Sequence, residues 1–168
     1  SNLMICYYRL SSEDGDVARG NAAESFSISA QRLCVQNFLA SRPDLGGTVE
    51  EIVDDGYSGT NMNRPGMQRL LSLVKSGNVK AVIVRDLSRF SRNFLEGGHY
   101  LEFVFPAYGV RFISVNDHFD SADYGESTGG LELGITNLLN QLYSRDLYRK
   151  IKSVTDRKKL NGEYAFGA

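Results

Sequence analysis

The segment VKAVIV at residues 79–84 is followed at once by the polar segment RDLSRFSRN at residues 85–93. A short run of apolar, mostly β-branched residues that ends in polar residues predicts a buried strand followed by a loop. The same transition occurs after LMICYY at residues 3–8, and TVEEIVD at residues 48–54 is also predicted to be a strand that ends in a polar loop. Because helical patterns separate the three strands, the chain is predicted to be an α/β domain built on a parallel sheet.

Helical patterns fill the intervals between the strands. Ser25 or Ser27 can cap a first helix, and Pro65 suits the first turn of a second. A third helix is predicted to end near Pro106, although two consecutive glycines within it disfavour helix. With a fourth strand at residues 110–115, we predict a three-layer α/β/α domain whose mainly parallel central sheet has four to five strands, followed by a long C-terminal helix.

The C-terminal part of the chain carries a second kind of pattern. Apolar residues recur there mostly three or four positions apart, which predicts one amphipathic helix of about 30 residues. We expect residues 1–125 to form the core and residues 126–160 to form this helix. The repeating apolar residues are Leu131, Ile135, Leu138, Leu142, Tyr143, Leu147, Ile151 and Val154.

Charge is distributed unevenly along the 168 residues. The net charge of −1 opposes a dedicated, uniformly basic DNA-binding domain. Residues 1–144 carry 12 Lys and Arg against 17 Asp and Glu, whereas residues 145–159 carry seven basic residues against two acidic ones. An acidic body that ends in a basic segment predicts either a solvated helix end or a DNA contact. The basic residues of this segment are Arg145, Arg149, Lys150, Lys152, Arg157, Lys158 and Lys159.

Several classes of protein are disfavoured by composition. No apolar run approaches the roughly 20 residues of a membrane span, and no signal-peptide pattern opens the chain, so a cytoplasmic location is expected. Cys6, Cys34, His99 and His118 lack the close spacing of a structural zinc site. No glycine-lysine loop of the Walker type occurs, which disfavours a protein that binds ATP through such a loop.

The carboxyl ends of parallel strands meet at one edge of a sheet, where such domains bind ligands. Ser11 and Ser12 follow the first predicted strand, and arginines follow all three strands. Guanidinium groups bind phosphate oxygens bidentately and stabilise charge that develops in a transition state, while a serine hydroxyl can attack phosphorus. The sequence therefore predicts a phosphodiester site at this edge. Its candidate arginines are Arg9, Arg64, Arg85, Arg89 and Arg92.

Two other functions can be assigned to residues of the same strand-end loops. Asp54, Asp55 and Asp86 suit a non-catalytic, receiver-like regulatory module, although such a module needs acids after the first strand. A phosphatase or nuclease that releases its product by attack of water would use the arginines equally well. A role for the two consecutive aspartates in the turn at Gly56 is favoured over a catalytic or metal-binding pair.

Three blocks of sequence resemble the serine recombinases of the resolvase/invertase superfamily, and most of all the N-terminal catalytic domain of the large, transposon-excising members. The family carries Tyr-x-Arg-x-Ser, then Asp-Asp-Gly-x-Ser-Gly-Thr-Asn with Arg-Pro, then Asp-Leu-Ser-Arg-x-x-Arg. The order of the blocks makes the resemblance specific, and it covers residues 4–160. The matching residues are Tyr7, Arg9 and Ser11, then Asp54 to Asn61 with Arg64-Pro65, then Asp86 to Arg92.

The resemblance implies a reaction. Ser11 would become joined to a 5′ DNA phosphate and free a 3′ hydroxyl, so that a mobile element is integrated or excised without a cofactor. Partners would be double-stranded DNA attachment sites, and the full-length protein would form a homodimer and a synaptic homotetramer near the bacterial nucleoid. Residues 161–168 would begin a connector to DNA-binding domains. The implied active-site residues are Arg9, Arg64, Arg89, Arg92, Gln31 and Asp86.

The long helix would also have a role implied by the resemblance. It would dimerise, and its basic end would cross the minor groove of DNA. Two questions stay open. Small resolvases have an acidic residue where Ser88 stands, so the general acid and base are unassigned and Asp86 is a neighbouring candidate. Ser12 is the alternative nucleophile if the register differs by one residue.

Overall fold

The computed structural model describes residues 2–11, 27–125 and 128–162. Three predictions fall outside these ranges. They are the role of Ser12 as an alternative nucleophile, the cap at Ser25, and most of the connector at residues 161–168. All three remain predictions.

A five-stranded sheet in the order β2-β1-β3-β4-β5 forms the centre of the domain. The first four strands are parallel and the last is antiparallel to its neighbour, as predicted for a mainly parallel sheet. The fifth strand has only two residues, which is too short to leave a periodic signal in the sequence. The strands are β1 (Leu3–Leu10), β2 (Thr48–Asp55), β3 (Val79–Val84), β4 (Arg111–Ser114) and β5 (Phe119–Asp120).

The first two helices begin where local sequence signals predict. The Ser27 hydroxyl accepts a hydrogen bond from the Ala30 N–H at 3.1 Å and caps the first helix. Pro65 occupies the first turn of the second helix. The helices are α1 (Ile28–Ala40), α2 (Pro65–Lys75), α3 (Leu87–Phe90), α4 (Phe94–His99), α5 (Phe105–Ala107) and α6 (Thr128–Leu160), with a π-helical segment at Tyr100–Val104 and a 3₁₀ turn at Ser121–Tyr124.

Side chains of β1 alternate between two apolar layers, because successive residues of a strand point to opposite faces. Met4, Cys6 and Tyr8 pack with Val35 of α1. Ile5 and Tyr7 pack on the other face with side chains of α2, α3, α5 and α6. The sheet is therefore covered on both sides, which confirms the predicted three-layer α/β/α architecture.

Two details differ from the sequence prediction. The segment at residues 85–93 is not entirely a loop, because α3 forms one helical turn within it. The third predicted helix is present as α4, a π-helical segment and α5, and it includes the glycines at positions 97 and 98. A Cβ atom at Gly98 would lie 3.1 Å from Leu139 Cδ1, so glycine lets α4 approach α6 closely.

Helix α6 has 33 residues and two unlike halves. Ile135 and Leu138, near its start, are buried in the core. Beyond them Leu142 is partly buried against the core, whereas the later apolar positions of the predicted stripe are exposed, including Tyr143, Leu147 and Ile151. The single long helix is confirmed, but the domain core covers only its first part. Within the described ranges, no helix combines the length and apolar character needed to cross a membrane.

Candidate active site

The site lies at the carboxyl edge of β1, β2 and β3, on the face of the sheet covered by α2 and α3. Alternation along β1 places Tyr7 and Arg9 on this face. Asp54 is the register partner of Arg9 in β2. All three side chains are buried. A tyrosine, an arginine and an aspartate thus share one enclosed space, which requires that their polar atoms be paired.

Arg9 joins two of the strand-end loops. Its guanidinium donates three hydrogen bonds to backbone carbonyls: Nε to Arg89 O at 3.2 Å, Nη1 to Tyr57 O at 3.0 Å, and Nη2 to Ser88 O at 2.9 Å. The side chain is 0% exposed. Carbonyl oxygens from the loop after β2 and from α3 therefore hold this buried cation in one orientation.

Arg64 makes a similar set of contacts from the start of α2. Its Nε donates to the Tyr7 hydroxyl oxygen at 3.1 Å, and its Nη2 donates to Phe90 O at 2.7 Å. Nη1 donates to Ser58 O at 3.1 Å and to Asn61 O at 2.8 Å. Because the side chain is only 2% exposed, these contacts also fix the loop that follows β2.

Tyr7 and Asp54 hold Arg64 in place. The Tyr7 hydroxyl donates to Asp54 Oδ2 at 2.7 Å, and that carboxylate lies 3.8 Å from Arg64 Nε. Burial raises the pKa of the Tyr7 hydroxyl, so it is protonated at neutral pH and can donate. Asp54 also accepts the N–H groups of Gly66 and Met67 at 2.8 and 2.9 Å, which anchors the first turn of α2.

The expectation that Asp54 serves the turn at Gly56 is therefore wrong: its carboxylate is directed to the start of α2. Asp55, the next residue, is exposed on the edge strand β2. The two carboxylates do not form the acid pair that a receiver-like module needs. In the described residues, no group of three or more His, Cys, Asp or Glu side chains could hold a metal ion.

Gln31 fixes the backbone just before the predicted nucleophile. Its Oε1 accepts the Arg9 N–H at 3.2 Å and its Nε2 donates to Arg9 O at 2.8 Å. Arg89 Nη1 donates to the same carbonyl at 3.0 Å. Ser11 follows two residues later and is buried, and the Gly56 N–H donates to Leu10 O at 2.7 Å. The end of β1 is thus held from α1, from α3 and from the turn after β2.

Gly59 is the point where Arg9 and Arg92 meet. A Cβ atom at this position would lie 2.9 Å from Arg9 Cζ and 3.0 Å from Arg92 Cγ. The Arg92 N–H also donates to Gly59 O at 2.8 Å. Glycine is required here because two arginine side chains approach its backbone from separate segments.

Ser88 and Asp86 form a pair beside Arg89. The Ser88 hydroxyl donates a short hydrogen bond to Asp86 Oδ1. Asp86 Oδ2 lies 3.7 Å from Arg89 Nε. The serine at position 88 is therefore bonded to a carboxylate two residues earlier in the chain.

Not every predicted cation joins this site. Arg85 falls on the opposite face of the sheet by alternation with Ile83. There it lies near Cys34 on α1: burial raises the pKa of the Cys34 thiol, and the charge of Arg85 offsets part of that rise. The basic residues of α6 are exposed along that helix. Arg145 lies 3.7 Å from Asp117, and Lys150 lies 2.9 Å from Asp146.

The fold and the site define an α/β domain that has buried arginines and a buried serine at the carboxyl edge of its sheet. This arrangement suits phosphoryl transfer to a serine hydroxyl. Comparison with known proteins agrees. The family model "Resolvase, N terminal domain" matches residues 4–164, and the chain belongs to the resolvase family. No curated protein sequence matches it significantly.

Solved structures support the same assignment. The chain is 26% identical to the N-terminal catalytic domain of TP901-1 integrase, with a TM-score of 0.60, over 86% of this chain and 98% of that one. It is 25% identical to a resolvase family site-specific recombinase from Streptococcus pneumoniae, with a TM-score of 0.59, over 96% and 99% of the two chains. The predicted family and fold are confirmed, and the chain is a site-specific recombinase domain. The receiver-like alternative is not favoured.

Tyr7 and Asp54 belong to the site but are not among the active-site residues predicted from the sequence. Tyr7 was part of a motif, and Asp54 was considered for the receiver-like module and favoured as a turn residue. The alternation of β1 places Tyr7 on the same face as Arg9, and this signal was available in the sequence. The capping role of Asp54 was less accessible, because the N–H groups it accepts lie 12 and 13 residues further along the chain.

Proposed function

We propose that Ser11 is the nucleophile with which this recombinase domain cleaves and rejoins DNA. The Ser11 oxygen forms a bond to the phosphorus of a backbone phosphodiester and loses its proton. The bond from phosphorus to the 3′ oxygen breaks, and that oxygen leaves as a 3′ hydroxyl after gaining a proton. The new bond joins Ser11 to the 5′ phosphate, and attack by a 3′ hydroxyl reverses the step. One phosphodiester replaces another, so no external energy source is needed.

The observation that carries this proposal is the arginine cluster beside the end of β1. Arg9 and Arg64 are buried, and both donate to carbonyls of the loop after β2 and of α3. Arg89 donates to the carbonyl of Arg9, and Arg92 packs on Gly59. Positive charge held in a fixed arrangement stabilises the extra negative charge of the phosphoryl transition state. Arg92, which is only half-buried, is the member best placed to meet DNA directly.

Gln31 and Asp86 act through other residues in this proposal. Gln31 holds both backbone groups of Arg9 and thereby the strand that ends at Ser11. Asp86 holds the Ser88 hydroxyl and lies beside the Arg89 guanidinium. Both are positioning residues, and the general acid and base stay unassigned.

Helix α6 is proposed to carry the DNA and subunit contacts. Its basic residues 145–159 are exposed and can neutralise phosphates of double-stranded attachment sites. Its exposed apolar residues, such as Leu147 and Ile151, can pack on a second copy in a homodimer and in a synaptic homotetramer. In this proposal residues 1–125 are the catalytic core, residues 126–160 join DNA and subunits, and the protein works at the bacterial nucleoid.

Trapping the covalent intermediate tests the proposal. Suicide DNA that carries the ends of the element is incubated with the full-length protein, and mass spectrometry maps the linked residue. We expect the link at Ser11, and we expect S11A to abolish it. The exposed Ser41, bonded to Phe38 O at the far end of α1, supplies the control variant S41A, which should cleave normally. A link at Ser12, or release of product by water over many turnovers, would overturn the assignment of Ser11.

A further inference from the structure

Asp117, in the turn after β4, has no part in the mechanism above, yet its carboxylate is only 4% exposed. Asp117 Oδ2 accepts the Leu87 N–H at 2.7 Å and the Ser114 hydroxyl at 2.6 Å. Asp117 Oδ1 lies 3.7 Å from Arg145 Nη1 on α6. One carboxylate thus contacts the end of β4, the start of α3 and the long helix.

The contact with Leu87 replaces a missing local cap. Asp86 occupies the N-cap position of α3, but its side chain makes no capping hydrogen bond. It is bonded to the Ser88 hydroxyl instead. A helix of one turn has little stability of its own, so an acceptor from elsewhere must satisfy its first N–H group. Asp117, 30 residues further along the chain, supplies that acceptor.

The backbone around Asp117 runs alongside the segment that leads into α3. The Val115 N–H donates to Val84 O at 3.0 Å, and the Asn116 N–H donates to Arg85 O at 2.7 Å. Together with the side-chain contact to Leu87, these bonds mean that the turn after β4 holds this segment at Val84, Arg85 and Leu87. A shift of Asp117 must therefore reach α3, whose Ser88 and Arg89 carbonyls bind the Arg9 guanidinium.

We propose that Asp117 is a positioning residue that holds α3, with its arginines, in register with β1, and that its ion pair with Arg145 couples α3 to the position of α6. The proposal rests on the proposed function of Arg9 and Arg89. Arg145 begins the basic segment of α6 and lies beyond the buried residues Ile135 and Leu138. When a DNA phosphate or a second copy draws Arg145 away, the Asp117 carboxylate loses the positive charge beside it, and its hold on α3 weakens.

Hydrogen exchange of the chain without DNA tests the first part. D117A removes the acceptor, and we expect exchange at residues 87–90 to rise about 10- to 100-fold, the effect of losing a charged hydrogen bond. D117N keeps an oxygen that can accept the Leu87 N–H and should restore most of the protection. R145Q should raise exchange only about threefold, because the Arg145 side chain is 58% exposed and solvent screens its ion pair with Asp117.

D146N is the matched control, because it removes a carboxylate from the same helix that pairs with Lys150 and does not touch α3. Exchange at residues 87–90 should be unchanged in this variant. Unchanged exchange in a folded D117A protein would overturn the positioning role. If D117A fails to fold, the comparison of D117N and R145Q with D146N decides, and equal exchange in all three would overturn the coupling.

A double-mutant cycle tests the coupling during cleavage. With saturating suicide DNA, D117N and R145Q should each slow formation of the covalent adduct. The double variant should be no slower than the slower single variant, because both remove the same ion pair. Effects that multiply would show that Arg145 acts through DNA alone and would overturn the coupling. The exchange measurements do not depend on Ser11. They therefore test the role of Asp117 even if Ser11 proves not to be the nucleophile.

Discussion

The strand edge and the distal half of α6 both concentrate positive charge, but they do so in opposite environments. At the edge, Arg9 and Arg64 are almost fully buried, and every bond described for them goes to a carbonyl or to the Tyr7 hydroxyl. On α6, the basic residues from position 145 to position 159 are exposed to solvent. The same chemical group is held rigidly in one region and remains solvated in the other.

This difference separates two uses of charge. A buried cation loses its hydration and must be compensated by nearby acceptors, so its position is determined by the fold. A solvated cation keeps its hydration and its side-chain freedom, so it attracts phosphates without defining their position. We therefore expect substitutions at the edge to lower both the free energy of unfolding and the rate of cleavage. Substitutions on distal α6 should change mainly the affinity for DNA.

Removal of Arg64 should have the largest effect on stability. R64A leaves the Asp54 carboxylate buried without its cation and removes the donors from Ser58 O, Asn61 O and Phe90 O. The free energy of unfolding should fall by about 3–5 kcal/mol, as for other broken buried pairs. Chemical denaturation measures it. R69A, which removes an exposed ion pair with Glu50, should cost at most about 1 kcal/mol, and equal losses in the two variants would erase the contrast.

Insertion of a methyl group at Gly59 comes next. In G59A the new Cβ would lie 2.9 Å from Arg9 Cζ, so Arg9 or the loop after β2 must move. We expect a loss of about 1–3 kcal/mol in unfolding free energy. Misplaced charge should slow adduct formation by about 100-fold. G46A is the control, because a Cβ atom at Gly46 would meet nothing within 4 Å. Normal cleavage by G59A would show that Arg9 need not be held so closely.

The two adjacent tyrosines of β1 give a sharper test. Y7F removes the hydroxyl that links Arg64 to Asp54 and should cost about 1–2 kcal/mol of unfolding free energy. Y8F removes a hydroxyl on the other face, 3.4 Å from Glu51 Oε1, and should cost less than about 0.5 kcal/mol. Denaturation of both variants under one condition makes the comparison. A larger loss in Y8F would contradict the assignment of the site to the face that carries Tyr7.

Substitution of the α6 lysines should change stability least. In the double variant K158Q/K159Q the free energy of unfolding should stay within about 0.5 kcal/mol, because both side chains are exposed. If both lysines contact phosphates, the slope of log affinity against log salt for a linear duplex should fall by about 1.8. The double variant K75Q/K80Q, away from α6, should leave that slope unchanged. An unchanged slope in K158Q/K159Q would remove these lysines from the DNA contact.

Much of the fold was predictable because its signals are local. The signals for the strands, for the helix start at Pro65 and for the long amphipathic helix each come from residues that lie close together in sequence. Parallel topology also predicts that Arg9, Arg64 and Arg89 lie at one edge of the sheet. The helix α3 was not predicted, because the acceptor for its first N–H group is Asp117, 30 residues away.

The amino-acid sequence by itself determined the first four strands, the long helix, the family and four of the five arginines predicted at the strand edge. Only the tertiary structure decided which of those arginines are buried, that Tyr7 and Asp54 orient one of them, and that Asp117 joins α3 to α6. The reason is physical. Periodicity and capping act over a few residues, whereas the partner of a buried polar group is whichever atom the packed chain brings within hydrogen-bond distance.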